Sequence, residues 1–252
     1  MLKVRVMPTL LYKNLGLVKG IAFDSWRRIG GVLQSIKVYN LRQVDELVFL
    51  DIAATLEDRR PDFQAIDEFA DACFMPMTVG GGVRSLEDVE KLLKVGADKV
   101  AINTAVLHIR GLIPEAARRF GAQCIVASID ARRMANGRHE VFTHAGTRGT
   151  GQIAAAVARS VTGEGAGEIL LTSIDRDGTM GGYDLELIKS VTEAVDVPVV
   201  ASGGAGSYED MYEAIAIAGA SAVAAASIFH FSEQTPRGAK EYLSQRGIPV
   251  RL

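Results

Sequence analysis

The chain has 252 residues, of which 48% are hydrophobic and 23% charged; this is enough apolar material for one large core and excludes a disordered chain. Its 28 basic and 30 acidic residues leave a net charge of −2, which excludes a global basic field for nucleic acid. The two cysteines, Cys73 and Cys124, are too few for a disulfide framework or a four-ligand zinc site and are expected to be free thiols.

The opening segment Met1–Pro8 is too short and too interrupted for a signal sequence. No apolar run approaches the ~20 residues that a membrane span needs. The expectation is a cytoplasmic protein. Short apolar runs predict strands over Val4–Thr9, Glu46–Asp51, Met75–Val79, Lys99–Ile102, Gln123–Ile129, Glu168–Ser173, Val197–Ala201 and Ser221–Ala225. Amphipathic stretches between them predict helices, among them Ser85–Lys94, Ile113–Phe120, Leu185–Ala194 and Tyr208–Ile217. Strands that are apolar throughout belong to parallel sheets covered on both faces. Eight of them alternating with helices fit an α/β fold of the (β/α)₈ barrel type, with an open doubly wound sheet as the alternative.

An internal repeat favours the barrel. Gly81-Gly82-Val-Arg-Ser85-Leu-Glu87-Asp88 returns as Gly203-Gly204-Ala-Gly-Ser207-Tyr-Glu209-Asp210, an offset of 122 residues. At the same offset the run from Glu46 faces the run from Glu168. The repeat predicts one domain over residues 1–252, built from half-barrels of about 1–122 and 123–252.

Barrel active sites form at the C-terminal strand ends. Asp51, Asn103, Thr104, Asp130, Thr172, Asp177, Gly178 and Ser227 fall there, with the two Gly-rich turns. Glycine lets a backbone approach a phosphate closely, and the helix after each turn points its N-terminus at the anion. Two such turns predict a ligand with phosphate at both ends; a plain tight turn is the alternative. Asp130, closing an apolar strand, is a candidate acid–base group, with a helix cap or a salt bridge to Arg132 or Arg133 as the structural alternative. The matching end of strand one, around Leu10 and Leu11, carries no carboxylate. Arg5, Glu46, Lys99 and Glu168 open their strands, and Arg5, Lys99 and Glu168 share parity with later residues expected inside the barrel. Two cations and two anions there predict a closed ring, because buried charge is costly unless paired. His108, His139, His144 and His230 show no metal-ligand spacing, and no metal or cofactor is expected.

These residues resemble the cyclase subunit of imidazole glycerol phosphate synthase over nearly the whole chain. The resemblance is carried by Val18-Lys-Gly20, Asp45–Asp51, Thr78–Gly82, Gly96–Val100 with Ile102–Thr104, Gly167–Thr179, Ala201–Gly206 and Phe229-His-Phe231. It implies a barrel that joins ammonia, made by a glutaminase subunit and passed through the barrel, to a bis-phosphorylated ribulosyl aminoimidazole. It assigns Asp130 as one of two catalytic aspartates and Lys19 as a substrate contact. Gly82, Asn103 and Thr104 fall to one phosphate site; Asp177, Gly178, Gly204 and Ser227 fall in or near the other. Arg5, Glu46, Lys99 and Glu168 become the ammonia gate, and Asp98 and Gln123 face the glutaminase. The second catalytic aspartate falls on Leu11, and Ala53 replaces a usual threonine. The first loop, through Phe23–Gly31, also departs from the pattern. This combination resembles diverged paralogues associated with surface-polysaccharide genes, in which the ammonia serves a third protein that amidinates an N-acetylated sugar. The alternatives are a working histidine-pathway cyclase and a non-catalytic activator of the glutaminase.

Overall fold

The computed structural model describes residues 3–14 and 16–252. Eight parallel strands form its frame: β1 (Arg5–Lys13), β4 (Leu47–Asp51), β5 (Met77–Gly80), β6 (Lys99–Ile102), β7 (Ile125–Arg133), β10 (Glu168–Ser173), β11 (Val199–Ser202) and β12 (Ala222–Ala225). Each pairs with the next in that order; β12 pairs with β1, and β7 pairs directly with β10. The sheet therefore closes, and the open-sheet alternative is excluded. The main helices are α1 (Val32–Leu41), α2 (Phe63–Ala72), α3 (Leu86–Lys94), α5 (Leu112–Phe120), α6 (Ala154–Gly163), α7 (Leu185–Thr192), α8 (Tyr208–Ala216) and α10 (Pro236–Gln245), with short α4 (Thr104–His108) and α9 (Ser227–Phe231).

Strand parity divides the core in two. Outward residues such as Leu47, Phe49, Val79, Ile102, Ile125, Ile129 and Val223 pack with the helices in one large cluster. Inward residues Met7, Val48, Ala101, Val126, Leu170, Val200, Ala222 and Ala224 form a second cluster on the barrel axis. Side chains alternate along a strand, so a strand buried on both faces must be apolar in both registers.

The repeat is visible in the caps. Ser85 accepts a hydrogen bond from the Asp88 amide at the start of α3, and Ser207 accepts one from the Asp210 amide at the start of α8. The shared Ser-x-x-Asp spacing is thus N-capping chemistry at equivalent helices.

Several strand bounds differ from the sequence expectation. The first strand runs on to Lys13, and residues 122–124 form a helical turn before β7. Two hairpins were not anticipated: β2 (Gly16–Ile21) with β3 (Asp24–Gly30), and β8 (His139–Thr143) with β9 (Arg148–Ile153). They follow the first strand of each half, β1 and β7, so they too obey the repeat.

Ile102 is fully buried between sheet and helices. Ile102→Ala removes that packing, and the expected cost is ~2–5 kcal/mol of unfolding free energy, read from urea midpoints at unchanged m-value.

Candidate active site

Register places the site. Leu11 pairs with Leu50 on β4, and Asp130 pairs with Thr172 on β10. Leu50 and Thr172 are 122 residues apart, the repeat offset. Leu11 and Asp130 therefore occupy equivalent positions in the two halves. Both line one cleft at the C-terminal strand ends.

Lys19, Asn103, Thr104, Thr172, Asp177, Gly178, Gly204 and Ser227 line the same cleft. Gly82 is the exception among the sequence candidates and is absent from the lining, where Gly81 takes its place. The reason is local. Gly82 has φ +72°, and a Cβ there would press on the Arg59 carbonyl and Ala54. Gly204, at φ +113°, sits equally tightly against the Gly182 carbonyl but also reaches the cleft. Both glycines are required by loop packing before any ligand is considered.

Asp130 accepts a hydrogen bond from Asn103 Nδ2 at 2.9 Å. It makes no cap and no pair with the neighbouring arginines: Arg132 reaches Asp175, and Arg133 reaches Glu186. Burial, with nearby Asp177 adding to it, raises the Asp130 carboxyl to about 7 against the hydrogen bonds from Asn103 and Thr172. In the same cleft, burial lowers the Lys19 ammonium to about 8, while its neighbour Asp177 works the other way. Burial also raises Asp177, although Lys19 opposes it. A carboxyl and an amine thus face one cleft, each drawn toward neutral pH, which is where proton transfer is efficient.

The lid is the part that sequence reading missed. The β2–β3 hairpin turns on Ala22 and Phe23, with φ +50° and +63°. The Ala22 amide donates to the Asp177 carbonyl at 2.9 Å. This ties the turn over the cleft, with Phe23 and Trp26 in its lining. The opposite hairpin contributes Ala145, and Phe23 lies close over Gly146. Asn-Gly or Asp-Gly would have signalled such turns; Ala22-Phe23 gives no such signal, and the 144–147 connection offers only Gly146.

At the other end of the barrel the predicted ring is closed. Arg5 donates to Glu46 at 2.6 Å and to Glu168 at 2.8 Å; Lys99 reaches the same two carboxylates at 2.9 and 2.7 Å. Thr78 donates to the free oxygen of Glu46 at 2.6 Å. Burial opposes the Arg5 charge, but Glu168 and Glu46 hold its pKa above the usual value. Burial likewise opposes ionised Glu46, which Lys99, Thr78 and Arg5 keep below the ordinary carboxylate range. Asp98 and Gln123 are exposed just before β6 and β7, at this same end. Among the described residues, no three His, Cys, Asp or Glu side chains gather as a metal site. His230 packs edge-on to Tyr39 and is held neutral, its pKa lowered to about 4 chiefly by burial. No helix of the described residues is long and apolar enough to cross a membrane.

A closed barrel, a half-barrel repeat and a cleft at the C-terminal strand ends agree with a family model that matches residues 5–235 and is described as histidine biosynthesis protein. The chain belongs to that family. Membership makes it a barrel of the histidine-biosynthesis type.

Asp130 yields a pH prediction. An unfolded aspartate ionises near 4. Between there and about 7 the native state binds more protons than the unfolded state, so this group's effect on stability grows less favourable as pH rises and is complete above 7. Asp130→Asn is expected to unfold at higher urea than the native protein at pH 8, by on the order of 1–4 kcal/mol, and to show no such gain at pH 4.

Proposed function

We propose that this barrel is a cyclase-like subunit that receives ammonia from a glutaminase partner at its charged end. With leucine at position 11, it passes that ammonia on for amidination of an N-acetylated sugar by a third protein in surface-polysaccharide synthesis. The observation that carries the reading is the combination of a complete ring of Arg5, Glu46, Lys99 and Glu168 with Leu11 standing where the repeat calls for the counterpart of Asp130. A four-charge ring whose two carboxylates are buried suits an end on which something docks or through which something crosses, since buried charge is costly unless paired. Leucine cannot exchange a proton, and losing one member of an acid–base pair costs ~10²–10⁴-fold. The exposed Asp98 and Gln123 beside the ring suit a protein partner in a heterodimer.

A second reading has its own support. Asp130 is intact, held by Asn103, and draws toward neutrality. A single carboxyl of that kind can both accept and return a proton, which favours a histidine-pathway cyclase working without a second aspartate. Under either reading the ligand is phosphorylated, with Lys19, Gly178, Gly204 and Ser227 about one end and Asn103 and Thr104 about the other.

Two measurements test these readings. With ammonium salt and the ribulosyl aminoimidazole bisphosphate, the native protein is expected to turn over slowly or not at all. Leu11→Asp is expected to gain at least a decade, each worth ~1.4 kcal/mol of barrier. Native turnover equal to that of an ordinary cyclase would establish the second reading instead. Lys99→Glu puts a third carboxylate in the ring. Placed in the Leu11→Asp background with the purified glutaminase, it is expected to abolish glutamine-dependent turnover and leave that background's ammonium-salt turnover in place, and a destabilisation of ~3–5 kcal/mol should accompany it. Unchanged glutamine-dependent delivery would sink the gate assignment.

A further inference from the structure

The cleft is two-sided. One wall carries its polar groups: Asp130, Asn103, Thr172, Asp177 and Ser202. The facing wall is mostly apolar, made by Leu11, Leu50 and Ile52 from the first half and by Phe23 and Trp26 from the hairpin above them; its polar exceptions are Thr55 and the buried, unpartnered hydroxyl of Thr9 below Leu11. The ionisable group on that side is Asp51, which is already engaged by the Ala53 and Ala54 amides and by Arg59 at 3.2 Å. It has little capacity left for a ligand.

The two glycine turns are just as unequal. The second supplies Gly203, Gly204 and Ala205 to the lining, and Ala226 and Ser227 join them. The first supplies Gly81, and Gly82 is turned into loop packing. Thr104, beside it, already accepts the His144 amide through its hydroxyl. The lining's one cation, Lys19, lies with Asp177 rather than with the first turn. An anion therefore finds a well-furnished cradle in the second half and a poor one in the first.

We propose that Trp26, with Phe23 and Leu11, forms a platform for an uncharged planar group of a ligand whose single phosphate is held in the second half of the barrel. This rests on the cleft being the ligand site of the proposed function, and it narrows the ligand from a doubly anionic chain to a phosphate bearing a heterocycle or a similar flat neutral group. The physical basis is apolar and π-face contact, of the kind an aromatic side chain makes with a stacked base, which tolerates different rings. The Trp26 ring has support for that role. It packs closely over Gly20, where a Cβ would strike it, and Lys13 Nζ stands 6.0 Å from its centroid. The hairpin carrying it is pinned to the Asp177 loop.

Trp26 is the chain's one tryptophan, so its fluorescence reports the site directly. The probes are adenosine 5′-monophosphate, ribose 5-phosphate and fructose 1,6-bisphosphate. Adenosine monophosphate is expected to quench Trp26 and to bind at least tenfold tighter than ribose 5-phosphate. By calorimetry, Trp26→Ala should bring those two affinities to within threefold by weakening the nucleotide, with ribose 5-phosphate unchanged. Trp26→Phe should restore most of the difference. Tighter binding of the bisphosphate than of the nucleotide overturns the proposal, because it would mean that both ends of the cleft hold phosphate. A preference that survives Trp26→Ala, or equal weakening of nucleotide and sugar phosphate, also overturns it. If none of the three probes binds the native protein, the platform and the phosphate cradle fall together, whereas the ammonia-gate reading is judged separately by the Lys99→Glu experiment at the other end of the barrel.

Discussion

Closure of the sheet by the β7–β10 pairing is the constraint from which the rest follows. Once the eight strands form a ring, every second side chain must be accommodated on the axis. That space is filled in three layers. Charged residues stand at the strand starts, the apolar cluster around Met7, Val126 and Leu170 fills the middle, and the cleft opens at the strand ends. The ring charges cannot relax into solvent as surface charges would. Glu46 and Glu168 are almost wholly buried, at 3% and 5% exposure, and each is satisfied by both Arg5 and Lys99. Removing one cation leaves two carboxylates sharing the other.

The half-barrel repeat makes the asymmetry of the cleft meaningful. A repeated frame offers equivalent positions, and strand register identifies Leu11 with Asp130 without appeal to any relative. What the chain places at those positions differs in polarity. An aspartate at both would put two carboxylates in one cleft, where like charges drive one pKa up. With Leu11, the elevation of Asp130 comes first from burial and then from Asp177. Lys19 and Asp177 stand as a second titrating pair in the same cleft. The groups drawn toward neutrality, Asp130, Asp177 and Lys19, thus gather at one half of the barrel, with the hairpin bringing Lys19 to it.

The strands and the ring were legible in the sequence for the same reason. Period-two alternation carries through a strand, so Arg5, Lys99 and Glu168 could be placed inside from their parity with later residues. The Gly-rich turns were legible as turns, but their direction was not. Whether Gly82 faces a ligand or a neighbouring loop depends on the path of Arg59 and Ala54, a contact 23 to 28 residues away in the chain. Asn103 as the partner of Asp130 was hidden for a similar reason, since the two meet across adjacent strands. The first hairpin was hidden because its left-handed turn residues are Ala22 and Phe23; in the second, His144 and Ala145 share that conformation and only Gly146 marks the turn. Backbone strain in such residues is compensated by tertiary contacts, here the Asp177 carbonyl and the packing of Phe23 on Gly146.

The middle layer bears on the proposed ammonia route. Met7, Val48, Ala101, Val126, Leu170, Val200, Ala222 and Ala224 separate the ring from the cleft with side chains that offer no polar atom. An ammonium ion entering that layer would lose its hydration with nothing to replace it, whereas neutral ammonia would lose far less. Ammonia taking this route must therefore enter the layer neutral. The ring favours the neutral form by exclusion rather than as a base: its carboxylate oxygens are already taken by Arg5, Lys99 and Thr78, and the two cations disfavour a third among them. Three of the eight plug residues are alanine, and they cluster on β6 and β12. The narrowest obstruction is thus expected away from those two strands, toward Met7, Val126 and Leu170. In the proposed route, transit then depends on rotamer motion of Met7, the longest and most pliable side chain of the layer, rather than on opening of the β-barrel itself.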